Sequence, residues 1–197
     1  MTGTRGYHHG DLRRTLLAAA VRAIEESGPA ALSLRDLARR AGVSHAAPAH
    51  HFGDKSGLLT ALATEGFHLL AKALHDAGGD LLDRGVAYVD FAVRHRAHFE
   101  VMFRPDLYRA DDPELLAARR RSGDALHSGV AALSDTRPTA KDPQGDALAA
   151  WSIVHGFATL WLSGALPPQV GDDPRAAARD VIHRLFPKSR RPPAPKP

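Results

Sequence analysis

Apolar residues return every three or four positions along almost the whole chain, and no stretch shows the strict alternation of a half-buried strand. From Asp11, Leu12, Leu16, Ala20 and Ala23 fall at helical spacing beside Leu17, Val21 and Ile24, and Gly28-Pro29 closes the run. A shorter helix follows in LSLRDLARRAG. There Ser33 can cap, Asp36 can bond back from the third position, Leu32 can staple onto Leu37, and Gly42 offers a left-handed exit. After only Gly42-Val43, Ser44 is expected to cap a further helix, and so short a turn makes the two helices cross steeply. Pro48 would sit at the fourth position of that helix, where its missing N–H removes only the bond to the Ser44 carbonyl. Gly53 ends the segment and Asp54 caps the next, which runs from Lys55 through Leu58, Leu59, Leu62, Phe67, Leu70 and Leu74 to Gly78-Gly79.

Further helical segments are expected at 81–95, 97–103, 113–133, 143–166 and 174–186, with Pro105, the stretch from Pro138 to Pro143, and Pro167-Pro168 in the loops between them. The run 147–166 is long and apolar enough to suggest a membrane span. Ser152, His155, Thr159 and Ser163 interrupt it and acids precede it, so a helix buried on every side is expected instead, with no membrane partner.

Composition narrows the chemistry. The chain has 197 residues and no cysteine, which removes disulfides, thiolate nucleophiles and thiolate metal ligands. Its first residues contain no apolar stretch after the charges, so a secretory signal is not expected and a cytoplasmic location is. Residues 1–60 hold eight lysines and arginines against five acids, and residues 187–197 add four more cations, which leaves the middle of the chain mildly acidic. A basic head on an acidic body is expected where the head meets a polyanion. The proline-rich basic segment 187–197 reads as a disordered tail.

The segment 43–59 raises two chemistries. Its small residues allow close approach to a surface, and Ser44 and the exposed histidines can donate to phosphates, although an ordinary alanine-rich surface helix gives the same pattern. The rival is a histidine-metal hydrolase. The pairs His8-His9 and His50-His51 are adjacent, and neighbouring helical residues point about 100° apart, which suits one metal poorly. His95 and His98 are better spaced, with Glu100 nearby, yet RHRAHFEVMF reads more simply as one helix end and the next short helix. No metal, cofactor or enzymatic activity is therefore expected.

Residues 11–60 resemble the DNA-binding domain of the TetR family of transcriptional regulators. The resemblance rests on Ser33-Leu34-Arg35-Asp36-Leu37-Ala38, Ala41-Gly42-Val43-Ser44, His51-Phe52, and Lys55 with Leu58-Leu59. The later WSIVHGFATLWLSG is similar to the Trp-His-Gly (WHG) signature of one C-terminal domain type in that family, through Trp151, His155 and Gly156. The resemblance implies an all-α homodimer. A flexible arm (1–10) would precede a three-helix helix-turn-helix domain (11–56), and a helical effector-binding and dimerisation domain (57–186) would follow, its dimer face on the last two helices. It also implies that Ser44, His45, Ala46 and Ala47 face the DNA groove, that His51 and Lys55 touch phosphates, and that Ser33 and Arg35 begin the supporting helix.

Ala49 stands where the family commonly has tyrosine, and Pro48 where it often has leucine. Phosphate contacts are thus expected to shift to His50, His51 and the arm. The recognition helix carries no Arg, Lys, Asn or Gln for a bidentate base contact, so DNA shape and Arg5 reaching a minor groove are expected to contribute to specificity. Tyr88, Phe91, Phe99, Met102, Phe103, Trp151, His155 and Thr159 could wall a ligand cavity, with plain core the leading reading for most of them and His155 the best single ligand candidate. The expected function is a repressor that binds a palindromic double-stranded DNA operator and is released by a small-molecule effector. A DNA-binding regulator without an effector is the near alternative.

Overall fold

The computed structural model describes residues 5–78, 80–134 and 142–185, and the side chains of these except 5–11, 127–134, 143 and 185. The basic tail 187–197 and most of the loop from Pro138 to Pro143 lie outside the described residues. Among the described residues the fold is all-α. The helices are α1 (Arg5–Ser27), α2 (Leu34–Ala41), α3 (Ala47–Phe52), α4 (Lys55–Asp76), α5 (Leu81–Arg94), α6 (Arg96–Met102), α7 (Pro113–Ser134), α8 (Pro143–Leu162) and α9 (Pro174–Leu185).

Helix α1 begins earlier than the Asp11 start expected from periodicity, and its backbone runs through the stretch where a flexible arm was expected. Extending a formed helix fixes one residue per added bond, whereas nucleation fixes several at once, so a strong helix from Leu12 on carries weaker residues before it. The side chain of Arg5 lies outside the described residues.

Helix α2 follows its sequence signals closely. Ser33 occupies the cap position with extended backbone and its carbonyl accepts from the Leu37 N–H at 2.9 Å, although its hydroxyl makes no capping bond. Asp36 does not bond back toward Ser33. It turns to Arg39 and Arg40 on the next turn, where paired cations compete better than a backbone amide. Gly42 exits at φ 66°, and the Val43 N–H reaches the Ala38 carbonyl at 3.0 Å.

Helix α3 starts later than expected. Ala46, not Ser44, is its cap, and Pro48 falls in the first turn rather than at the fourth position. The proline is the cause: a start at Ala47 places it where an N–H has no intrahelical acceptor anyway. The Ser44 carbonyl then accepts from Ala47 at 3.0 Å instead.

The chain packs into two compact units. One gathers the chain through Lys72 with Arg94–Ala125, and the other gathers Ala73–Val93 with the chain from Leu126 onward. The functional boundary expected between residues 56 and 57 falls inside the first unit. In that unit α1 packs on α2 and α6, and α2 packs on α3. Its core holds Leu16, Leu37, Leu58 and Leu62 with no exposed surface, each side chain contributing about 1.5–3 kcal/mol by burial. The α3–α4 corner is tight enough to exclude any side chain at Gly57, where a Cβ would lie 2.0 Å from the Phe52 carbonyl oxygen.

In the second unit, Gly85 of α5 lets α8 and α9 close in, since a Cβ there would meet Ile182 at 2.7 Å and Val154 at 3.3 Å. Helix α8 ends at Leu162, short of the expected residue 166. Gly164 takes φ 70° and its N–H bonds the Trp161 carbonyl at 3.0 Å, which terminates the helix before Pro167-Pro168. Nor is α8 buried on every side within the chain, because Leu148 and Leu160 are 59% and 46% exposed. No helix among the described residues is long and apolar enough to cross a membrane.

Gly57→Ala is expected to destabilise the protein by about 1–3 kcal/mol, read by urea denaturation, because the obstructing atom is a backbone carbonyl that cannot rotate away. A variant as stable as the parent would show that the corner relaxes freely.

Candidate functional site

A six-residue helix is too short to persist alone, so α3 must be held by its surroundings. Two of its side chains point inward: Pro48 is buried and Phe52 is 7% exposed. The Arg13 guanidinium of α1 lies over the Phe52 ring, 5.4 Å from its centroid, in a cation–π contact. With the inner face pinned, Ser44, His45, Ala46, Ala49 and His50 are exposed, and Ala47 and His51 are partly so. Ser33 and Arg35 are exposed at the start of α2. The His50 and His51 rings stand edge to face at 5.6 Å, so the two imidazoles diverge rather than converge on one point.

Lys55 differs from a free phosphate contact. Its ammonium donates to the Ala30 carbonyl at 2.7 Å, tying the start of α4 to the turn between α1 and α2. An ammonium has three protons, so two remain for other acceptors. Arg40 binds Glu26 at 2.6 Å as well as Asp36, which joins α2 to the end of α1. Hydrogen bonds and ion pairs from Arg39 and Arg40 hold the Asp36 carboxyl below its ordinary range.

Asp54 caps α4, accepting the Gly57 N–H at 2.8 Å through one oxygen and Arg109 at 3.0 Å through the other. These two bonds, the backbone one first, lower its carboxyl pKa. Nothing in the spacing of the sequence signals Arg109, which stands far from Asp54 along the chain.

The residues expected to line a ligand cavity fall into both units. Phe99, Met102 and Phe103 belong to the first, where the Phe103 ring meets Phe99 at 5.2 Å and Phe67 at 5.9 Å, edge to face. Tyr88, Phe91, Trp151, His155 and Thr159 belong to the second. There Trp151 Nε1–H donates to the Tyr88 hydroxyl at 3.2 Å, and that hydroxyl lies 2.9 Å from His155 Nδ1. The arrangement that uses the phenolic proton has Tyr88 donating to Nδ1, which places the imidazole proton on Nε2. Burial raises the Tyr88 hydroxyl pKa above its ordinary range and lowers that of His155, so both groups are held neutral. Thr159 is exposed and donates to the His155 carbonyl at 2.9 Å. Phe91 is buried in α5.

The second unit also carries a recess of about 370 Å³ that the sequence did not signal, with Asp76, Asp83 and Asp90 opposite Arg175 and Arg179. Arg179 bonds Asp83 across it at 3.0 Å. None of the eight residues expected at the ligand lines this recess.

The histidines of RHRAHFEVMF do not converge with Glu100. His95 caps α6, Glu100 bonds Arg96 at 2.9 Å, and the buried His98 places Nε2 at 3.4 Å from Glu65. Among the described residues no group of three or more histidines and carboxylates could hold a metal ion.

Together these features define an all-helical protein with a helix-turn-helix whose short second helix faces outward. The profile of the Tetracyclin repressor-like C-terminal domain matches residues 81–185, and that of the bacterial regulatory proteins of the tetR family matches residues 16–62. The chain belongs to this family of regulatory proteins. It is 36% identical to a protein of unknown function from Rhodococcus sp. RHA1, with a TM-score of 0.73, covering 92% of this chain and 98% of that one. It is 34% identical over 108 residues to the HTH-type transcriptional regulator BetI of Rhizobium meliloti (strain 1021), covering 54% of this chain and 47% of that protein. The chain thus spans less than half the length of the curated relatives it matches. AibR, solved in complex with isovaleryl coenzyme A and operator DNA, shares the fold at a TM-score of 0.64 and 21% identity, over 89% of this chain and 98% of that one.

Tyr88→Phe is expected to remove the hydrogen bonds to Trp151 Nε1–H and His155 Nδ1 together and to lower stability by about 1–3 kcal/mol in chemical denaturation. The folded His155 binds its proton less readily than the unfolded histidine, so stability should be whole above pH 6.5 and fall as the pH drops below it toward the lowered pKa. In His155→Gln this part of the acid loss should disappear. An unchanged acid profile in that variant would remove His155 from the account.

Proposed function

We propose that the protein is a homodimeric, ligand-responsive repressor. The observation that carries this reading is the anchored α3, whose Pro48 and Phe52 are buried while Ala49 and His50, and Ser44, His45 and Ala46 in the turn before it, are exposed. Residues 11–56 act as the DNA-binding head and residues 57–186 as the effector-binding and dimerisation body, with Trp151, His155 and Gly156 as its Trp-His-Gly signature. Two heads enter successive major grooves about 34 Å apart on a palindromic operator. Alanine methyls and His45 meet base edges, and His50, His51, Ser33, Arg35 and the remaining protons of Lys55 meet phosphates. AibR, which shares this fold, was solved in complex with isovaleryl coenzyme A and operator DNA, so the fold accommodates a small organic ligand and an operator. A coupling of about 1–3 kcal/mol between effector and operator suffices for release. The protein has no enzymatic role and works in the cytoplasm.

The open face of α8 supports the dimer. Leu148 and Leu160 are exposed, Ser152 and Thr159 are small and exposed beside them, and a Cβ at Gly156 would meet nothing within 4 Å in the same chain. Such a face suits close packing against the same face of a second copy. Leu148→Glu is expected to shift the protein from dimer to monomer in sedimentation velocity. A parent that is already monomeric would refute the dimer.

A salt series of binding to the protein's own upstream DNA tests the function itself, with log affinity expected to fall linearly with log salt. His51→Ala should weaken binding to every duplex about equally, whereas His45→Ala should change sequence preference. Identical behaviour of the two variants would contradict these assignments, and no affinity for any duplex at low salt would sink the reading.

A further inference from the structure

The loop between α6 and α7 reaches the α3–α4 corner through Arg109. Its guanidinium bonds Asp54 Oδ2 at 3.0 Å and lies over the two glycines of the corner. Its Cζ is 3.5 Å from where a Gly57 Cβ would stand, and an Nη is 3.6 Å from the same point at Gly53. An exposed ion pair alone contributes little. Arg109 is held by more than that pair, because its backbone N–H donates to Thr60 Oγ1 at 3.0 Å, and Thr60 is 6% exposed and itself donates to the Ser56 carbonyl at 2.8 Å. The preceding Tyr108 is buried and donates to the Met102 carbonyl at 2.8 Å, which fastens the loop to the last turn of α6. The Arg109 carbonyl in turn accepts the Asp112 N–H at 3.2 Å, so the guanidinium starts from a backbone fixed on both sides.

We infer that Arg109 is a positioning residue for DNA recognition: bonded to Thr60 through its backbone and to Asp54 through its side chain, it fixes the corner from which α3 projects. Helix α3 ends at Phe52, and Gly53 and Asp54 are the only residues between it and α4. Any freedom at Asp54 becomes freedom in the pose of the recognition helix. The inference rests on the reading of α3 as the groove-facing helix.

Three full-length variants test it. Asp54→Asn keeps an oxygen to accept the Gly57 N–H and loses the ion pair; Arg109→Ala removes the guanidinium; Arg109→Lys keeps the charge. In hydrogen exchange on the free protein, Arg109→Ala and Asp54→Asn are expected to speed exchange at His50 and Gly53 and leave the core of α1 at the parental rate. On the upstream duplex both should lose roughly tenfold in affinity with an unchanged salt slope, the double variant should lose no more than either single one, and Arg109→Lys should recover part of the loss. Parental exchange in α3 overturns the inference whether or not the protein binds DNA. Parental affinity despite faster exchange overturns it as well. A salt slope reduced by about one in Arg109→Ala, with Asp54→Asn unaffected, would make Arg109 a phosphate contact instead. Absence of DNA binding by the parent refutes the function reading, and hydrogen exchange still decides the positioning role.

Discussion

A helix of six residues cannot hold itself, and the rest of the first unit is organised around that constraint. Its inner face is gripped by burial of Pro48 and Phe52, its start is fixed by the Ser44 and Ala46 carbonyls, and its end is fixed by a corner that tolerates only glycine at position 57. Arg13 from α1, Lys55 from α4 and Arg109 from the loop after α6 each brace the same small region from a different part of the chain. The outward face is left with small side chains and imidazoles because the stabilising work is done behind it.

The second unit solves a different problem, that of burying polar rings. Tyr88 is 1% exposed, and its buried hydroxyl meets Trp151 Nε1–H and His155 Nδ1. Each member of the trio satisfies another, and the shared environment keeps the phenol and the imidazole uncharged. Gly85 makes room for Ile182 and Val154 beside α5, the helix that also carries Tyr88 of the polar trio.

Sequence spacing alone disclosed most of the helices, because period and punctuation are local properties. Gly42, Gly53 and the prolines that open α7, α8 and α9 mark their boundaries where the structure has them. The errors arose where a local signal met a stronger competitor. Ser44 looked like a cap, but Pro48 moved the helix start; Asp36 looked like half of a capping box, but Arg39 and Arg40 drew it away. The outward residues of α3 were legible because the motif sets their register. The Tyr88 trio and the Arg109 brace were not, since they join residues tens of positions apart and only folding brings them together.

Lys55 makes one consequence of this economy plain. The charge count of the N-terminal segment treats every cation as available to a polyanion, yet this ammonium already serves the Ala30 carbonyl. One of its three protons is committed there, and the full positive charge stays in place, fixed by that bond. That one ammonium ties the start of α4 to the turn between the first two helices, so a cation counted as surface charge is also a structural strut.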